Sequence, residues 1–292
     1  MFASLRSFPY KSYGFALLVV AGVVLVSCAP KASHTAQMTP YDRAKEAFQT
    51  GDLDKALDLT EKLVKPPGEF TDRARVLRCL IFAGQLKAAK ELTEAYAKGA
   101  EKTKDTETQA AYRRLQNEIQ VRAAKAALSL AETAHQIVHG GAIAKEFVLE
   151  ASFPAIEGPT EIKELAPVGK GDWIAPTEQH SALVDALRQG VDDALADVVA
   201  GDRAKARQAL AAGSAKLGGA DFAIFLAHEL ADGAVVFDRH HGLEPHRLAI
   251  LCDQGEVSLD AAMTLLKNAP NKDQEKEIKS LADKFKTIRK DA

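Results

Sequence analysis

The chain has 292 residues, of which 47% are hydrophobic, so it is long enough to bury a sizeable core. Its 38 basic and 40 acidic residues give a formal net charge of −2, and the lack of a basic excess argues against a nucleic-acid partner. The glycine-rich phosphate-binding motifs and the nucleophile-elbow motif of hydrolases are absent from the sequence, so we expect a protein without a cofactor that is not an enzyme.

Residues 1–27 have the layout of an export signal. Arg6 and Lys11 are basic, no acidic residue is present, and an apolar run follows from residue 13 to residue 26. A membrane-spanning helix needs about 20 apolar residues, and this run is shorter. We therefore expect a leader that is removed after export.

The apolar run ends in Leu25-Val26-Ser27-Cys28, which resembles the lipobox of bacterial lipoproteins. The resemblance implies that the chain is cut before Cys28 and that Cys28 then carries the lipid. Two or three acyl chains anchor a protein durably to a membrane. Ala29, where some lipoproteins have aspartate, favours the periplasmic face of the outer membrane by the same resemblance. An ordinary secretory signal and an uncleaved anchor are the alternatives.

The sequence after the leader divides into four parts. Residues 28–40 are small and polar and suit a tether. Apolar residues at helical spacing predict a first helical region over 41–138 and a second over 177–292. Between them, residues 139–176 are rich in proline and glycine, which predicts an irregular loop or insertion.

The first helical region contains a short internal sequence repeat. Residues 48–57 are matched 33 residues later by residues 81–90, and each copy predicts a helix, a turn at a glycine and a second helix. Gly51 and Gly84 are the predicted turn residues, because glycine readily adopts the positive φ that ends a helix. The residues that we expect to pack the paired helices together are Leu53, Ala56, Leu86 and Ala89.

This spacing resembles the tetratricopeptide repeat, a helix-turn-helix unit of 34 residues. The resemblance implies an all-α fold of stacked hairpins, as an α-solenoid or a helical bundle, with a surface for a protein or peptide partner. Gly201 and Ala206 repeat the pattern, so we expect another hairpin over residues 177–217. The large aromatic residues of such repeats are only partly present, and a generic bundle of α-hairpins is the alternative.

Four further elements are predicted along the chain. Residues 106–109 suit a capping box at the start of a helix that ends at Gly140, and residues 147–149 suit a short strand. Pro245 begins another helix, which Gly255 is expected to turn. The charged tail predicts a terminal helix with a thin apolar stripe at Ile278, Leu281, Phe285 and Ile288.

Two pairs of residues have simple structural interpretations. Cys79 and Cys252 lie in apolar helical contexts, so we expect buried free thiols, with a disulfide as the alternative. Asp192 and Asp193 are neighbours in a predicted helix, where adjacent residues do not face each other. We therefore expect them on a solvated helix face.

Histidine is the only residue type clustered in a way that suggests metal binding. His135 and His139 are one helical turn apart, as a metal-binding pair requires, and a second group of histidines and acidic residues spans 228–246. A third ligand cannot be assigned from the sequence. Histidine is also favoured at helix C-termini, which is the alternative for both groups, so we expect no bound metal.

The sequence as a whole predicts a membrane-anchored scaffold for protein interactions in the cell envelope. One alternative is a ligand-binding or accessory component of an envelope transporter, with the loop around Trp173 folding over a cleft. A metal-dependent enzyme using the histidines is the third possibility.

Overall fold

A computed structural model describes residues 38–141, 143, 146–155, 176–237 and 245–291. The leader, Cys28, most of the tether and Trp173 lie outside these residues. The described part is mostly helical, which confirms the all-α class. Its helices are α1 (Pro40–Gln49), α2 (Leu53–Val64), α3 (Thr71–Lys102), α4 (Thr106–His139), α5 (Pro176–Val199), α6 (Arg203–Ala209), α7 (Gly219–Ala234), α8 (Leu248–Leu266) and α9 (Lys272–Asp291). None of the described helices is long and apolar enough to cross a membrane.

The first predicted hairpin is present as α1 and α2. Helix α1 begins with a capping box, in which Thr39 Oγ1 accepts from the Asp42 backbone N–H at 3.1 Å and the Asp42 carboxylate accepts from the Thr39 backbone N–H. The turn is at Gly51, which has a φ of +76°. Leu53 and Ala56 are buried against the neighbouring helices, as predicted.

The second predicted hairpin is wrong. Gly84 lies in the middle of α3, a single helix of 32 residues, and Leu86 and Ala89 are buried in that same helix. The physical reason is the packing of α5 across α3. A Cβ atom at Gly84 would overlap Val191, and one at Gly190 would overlap the backbone carbonyl of Gly84. Gly84 therefore permits a close helix crossing and does not end a helix.

Helix α4 runs antiparallel beside α3 and ends at Gly140, as predicted. Its N-cap is Asp105, which accepts from the Thr108 backbone N–H at 2.9 Å, so the predicted capping box at 106–109 is displaced by one residue. Gln109 instead bonds back to the Thr103 carbonyl. An aspartate carboxylate is a strong N-cap acceptor, which explains the displacement.

The hairpin predicted over 177–217 is formed by α5 and α6, which are joined at Gly201 with a φ of +65°. Ala206 is fully buried. The end of this prediction is wrong, because residues 215–218 form a strand, β2, antiparallel to β1 (Glu146–Leu149). Phe147 pairs with Leu217 in this ribbon, which confirms the predicted strand at 147–149.

The last three helices cover one another and the end of α4. Gly255 was predicted as a turn, and this is wrong, because it lies inside α8, where the Phe285 ring of α9 occupies the place of a side chain. The stripe of α9 is buried at Ile278, Leu281 and Phe285, as predicted. Buried residues from both helical regions belong to one continuous hydrophobic core.

Cys79 on α3 and Cys252 on α8 are both buried free thiols. Burial also raises the pKa of Cys79, because the thiolate would lose its hydration.

Gly190→Ala tests the helix crossing. The added methyl group meets the α3 backbone, so we expect the free energy of unfolding to fall by about 2 kcal/mol, although alanine favours a helix by about 1 kcal/mol over glycine. Gly68→Ala is the control, because no atom lies within 4 Å of its Cβ position, and we expect a change of less than about 0.5 kcal/mol. Equal effects in urea-induced unfolding would contradict the close crossing.

Candidate functional site

Three helices bring oppositely charged side chains together in the interior. Lys87 lies on α3, Asp197 near the end of α5 and Glu229 on α7. The Lys87 Nζ atom is 2.8 Å from Glu229 Oε1 and 2.8 Å from Asp197 Oδ2. The Glu229 side chain is only 4% exposed, whereas that of Asp197 is 48% exposed, so solvent reaches the group from the Asp197 side. We call these three residues the charge cluster.

Burial and neighbouring charges shift the pKa values of Glu229 and Lys87 in the charge cluster. Burial raises the pKa of Glu229 to about 7, because the carboxylate loses hydration and the attraction of Lys87 only partly compensates. Asp232 and Asp197 raise it further by repulsion. Burial by itself lowers the pKa of Lys87, but Glu229 and Asp197 more than offset this effect and the net pKa is raised. Lys87 is therefore protonated at neutral pH, while Glu229 titrates in that range.

A cavity of about 270 Å³ lies beside the charge cluster, between α3, α4 and α7. Lys87 and Glu229 line one side of it, and Lys90 and Glu94 lie further along α3. We call it the apolar cavity, because most of its exposed lining is apolar. Its apolar walls are formed by Leu86, Ala89, Ala123, Val235 and Val236.

A second cavity, of about 380 Å³, shares Lys87 and Glu229 with the apolar cavity and extends toward α5 and α9. We call it the acidic cavity. Ion pairs between helices surround it, with His228 Nε2 at 2.8 Å from Glu277 Oε1 and Lys284 Nζ at 2.7 Å from Asp232 Oδ1. The carboxylates in its lining are Asp197, Asp221, Glu229, Asp232 and Glu277.

This arrangement suits binding better than covalent catalysis. A protonated lysine held by two carboxylates is a poor nucleophile. The charge that Glu229 presents to the two cavities changes near neutral pH, so the local field depends on proton concentration. The geometry therefore offers a partly open space, one side of which is charged, and the charge on Glu229 depends on pH.

The prediction of a solvated face for Asp192 and Asp193 is wrong for Asp192. Its side chain is fully buried, and Oδ2 accepts from Arg207 Nη2 at 2.9 Å. Burial raises the pKa of Asp192 to about 6 although Arg207 and Arg203 lower it. Asp193 pairs separately with Arg203. The two acidic residues do not face each other, as expected, because each binds a different arginine of α6.

The two candidate metal-binding histidines are neighbours on α4. The ring centroids of His135 and His139 are 4.2 Å apart. In the second group, His228 and Glu229 line the acidic cavity, whereas residues 238–244 lie outside the described part. Within the residues that the structure describes, no three or more histidine, cysteine, aspartate or glutamate side chains are grouped as metal ligands.

Sequence reasoning noticed Glu229 only as a member of the histidine-rich group. Its better signal is its position on α7, because Glu229 follows Phe222 by seven residues and Leu226 by three and so shares their buried face. A carboxylate on such a face needs a partner. Lys87 carried no comparable signal, because its partners are more than 100 residues away in the chain.

Comparison of the chain with models of protein families, with curated proteins and with solved structures found no match. The charge cluster, the cavities and the N-terminal sequence are therefore the features that bear on function.

Glu229→Gln tests the raised pKa. A carboxyl group whose pKa is higher in the folded state than in the unfolded state stabilises the fold fully below about pH 4.5, and this contribution is lost as the pH rises through about 7. Relative to Glu229→Gln, the wild type should therefore lose up to about 3 kcal/mol of unfolding free energy between pH 5 and pH 8. Urea titrations of both proteins at several pH values measure this difference. A constant difference would show that Glu229 is ionised throughout.

Proposed function

We propose that the chain is a lipid-anchored binding protein of the cell envelope and that its helical body holds a small molecule in the apolar cavity. The observation that carries this proposal is the partly open apolar space with the charge cluster at its side. This was the second of the functions expected from the sequence. The proposed role is binding, without catalysis of a reaction.

Small side chains create the space for a ligand. Ala89 on α3 and Ala123 on α4 face the apolar cavity at positions where larger residues would fill it. Ligand pockets in proteins typically have volumes of about 300–1,000 Å³ and combine apolar walls with a few polar groups. A cavity of about 270 Å³ is near the lower end of that range, which favours a small ligand.

The charges at the apolar cavity indicate the polarity of the ligand. Both signs of charge are present, because the lining contains two lysines and three carboxylates: Lys87, Lys90, Glu94, Glu229 and Asp232. An amphipathic molecule with an apolar body and a polar or zwitterionic end fits these walls. An ion with no apolar part would lose hydration without gaining apolar contact.

The scaffold function expected from the sequence is the second candidate. It is favoured by a groove of about 360 Å³ on α3 and α4, where Phe82 and Leu92 are accompanied by the basic residues Arg122 and Lys125. An amphipathic peptide with acidic residues would complement such a groove. The tetratricopeptide-like arrangement itself is supported only by the α1–α2 and α5–α6 hairpins, because α3 is continuous.

The proposed anchor is the lipid on Cys28, and its support is the lipobox-like sequence together with the short apolar run before it. Eleven residues separate Cys28 from Pro40, where α1 begins. Such a segment spans at most about 40 Å, so the helical body would stay close to the bilayer. The outer membrane is the proposed location, as the residue after Cys28 favours.

The binding of N-phenyl-1-naphthylamine, a small apolar fluorescent probe, tests the cavity. We expect its fluorescence to rise with the wild type, and Ala123→Leu to weaken binding at least tenfold, because the larger side chain occupies the cavity. Ala110→Leu, on the exposed face of α4, is the matched control and should bind as the wild type does. Ala89→Val is a second variant in which a larger side chain fills the apolar cavity, and it replaces Ala123→Leu if that variant folds poorly. Equal binding by the filled variants would contradict the proposal.

Metabolic labelling with radioactive palmitate tests the anchor. The wild type should incorporate the label in a bacterial host, and Cys28→Ser should not, because the acceptor thiol is absent. Incorporation at the same level by both proteins, or by neither, would contradict lipidation at Cys28.

A further inference from the structure

A pair of histidines at the end of α4 has a supporting contact from another helix. His135 and His139 are exposed and lie in the last two turns of α4, and their ring centroids are 4.2 Å apart. The Nδ1 atom of His135 is 3.1 Å from Oε1 of Gln254, which lies on α8. None of these three residues lines the apolar or the acidic cavity. His135, His139 and Gln254 form a separate group, and we call the two histidines the histidine pair.

The contact with Gln254 fits one tautomer of His135. An amide oxygen accepts a hydrogen bond, so a contact with Oε1 places the hydrogen on Nδ1 and leaves the lone pair of a neutral imidazole on Nε2. Histidines that bind metal ions usually donate their other ring N–H to an oxygen in this way, which fixes the ring and increases the basicity of the ligating nitrogen. In this tautomer, His135 would bind a metal through Nε2.

Gln254 is well suited to hold the ring in place. It is only 6% exposed and lies in the middle of α8, which packs against α4. Its Nε2 atom is buried without a hydrogen-bond partner.

The periodicity of the α-helix places His139 beside His135, where it can supply a second metal ligand. Residues four apart lie on the same face of a helix, which places the imidazoles of His135 and His139 side by side. A metal held at about 2.0–2.1 Å from each nitrogen requires the two nitrogens to approach to about 3 Å, and small side-chain rotations of rings this close can achieve that. The negative end of the α4 dipole also favours a cation there.

We propose that His135 and His139 bind one divalent transition-metal ion and that Gln254 is a positioning residue for His135. Imidazole nitrogens select copper, nickel and zinc over magnesium and calcium, and copper(II) binds most tightly of these. Two protein ligands leave further coordination positions open, and water or a ligand from another molecule fills them. The site is exchangeable and separate from the small-molecule cavity, so either one can exist without the other.

Titration of the purified full-length chain with copper(II), nickel(II) and zinc(II) by calorimetry tests this proposal. The protein must be prepared without a histidine tag. We expect one site per chain with copper(II) the tightest ligand, and at least tenfold weaker binding in His135→Ala and in His139→Ala. His228→Ala, which removes an exposed histidine elsewhere, is the matched control and should bind as the wild type does. Unchanged affinity in either of the first two variants would overturn the site.

The role of Gln254 needs a measurement that reports on the metal itself. Gln254→Leu should weaken copper(II) binding about tenfold, and Gln254→Glu should keep or increase it, because a carboxylate also accepts from Nδ1. Pulsed electron paramagnetic resonance of the copper(II) complex should show two imidazole nitrogens in the wild type and one in each single histidine variant. Thermal unfolding without metal verifies that each variant is folded. If Gln254→Leu binds copper(II) as tightly as the wild type, the positioning role is wrong.

Discussion

The close crossing of α3 and α5 is the constraint on which the rest of the structure depends. Gly84 and Gly190 remove the two side chains that would otherwise separate these helices. The short distance between helix backbones allows α3 to be buried by α4 and α5 together, and brings Lys87 within reach of Asp197. A wider separation would leave Lys87 with fewer partners and would open the core to solvent. The contact between these glycines thus positions the α5 side of the acidic cavity, where Asp197 lies.

Burial of charge is the second constraint, and it acts against stability. Taking a carboxylate and an ammonium group out of water costs more than their mutual attraction returns unless the geometry is good. Lys87 makes two contacts at 2.8 Å, and burial nevertheless raises the pKa of Glu229, in keeping with a desolvation cost that Lys87 offsets only in part. Apolar residues of similar volume often replace a buried ion pair without loss of stability. The retention of charges beside two cavities is consistent with a role in binding.

The proposed functions use different parts of one helical body. The apolar cavity lies where α7 meets α3 and α4, whereas the histidine pair lies at the end of α4, where α8 packs. Helix α4 contributes to both, since Ala123 lines the cavity and His135 lies three turns later.

Local sequence determined several features of this protein. The turns at Gly51 and Gly201, the buried stripe of α9 and the strand at residues 147–149 could be predicted, because each depends on neighbouring residues and on apolar spacing. The export signal and the lipobox are also local features, and they remain predictions. Local patterns failed at Gly84 and Gly255, where glycine serves a contact with a helix distant in the sequence.

Only the tertiary structure decided which distant residues meet. The same local pattern of glycine followed by leucine and alanine gives a turn at Gly51 and a continuous helix at Gly84. The backbone of α5 packs directly on Gly84, whereas at Gly51 the nearest contact from α5 is the side chain of Arg188. The partners of Lys87 are separated from it by 110 and 142 residues, and Gln254 lies 119 residues after His135. The spacing of apolar residues along one helix shows which side of it is buried, but not which other element packs against that side. The sequence therefore determines which segments form helices, where the helices are capped and which side of each helix is apolar. The buried charges, the cavities and the contact of Gln254 with the histidine pair arise only when those apolar sides pack together.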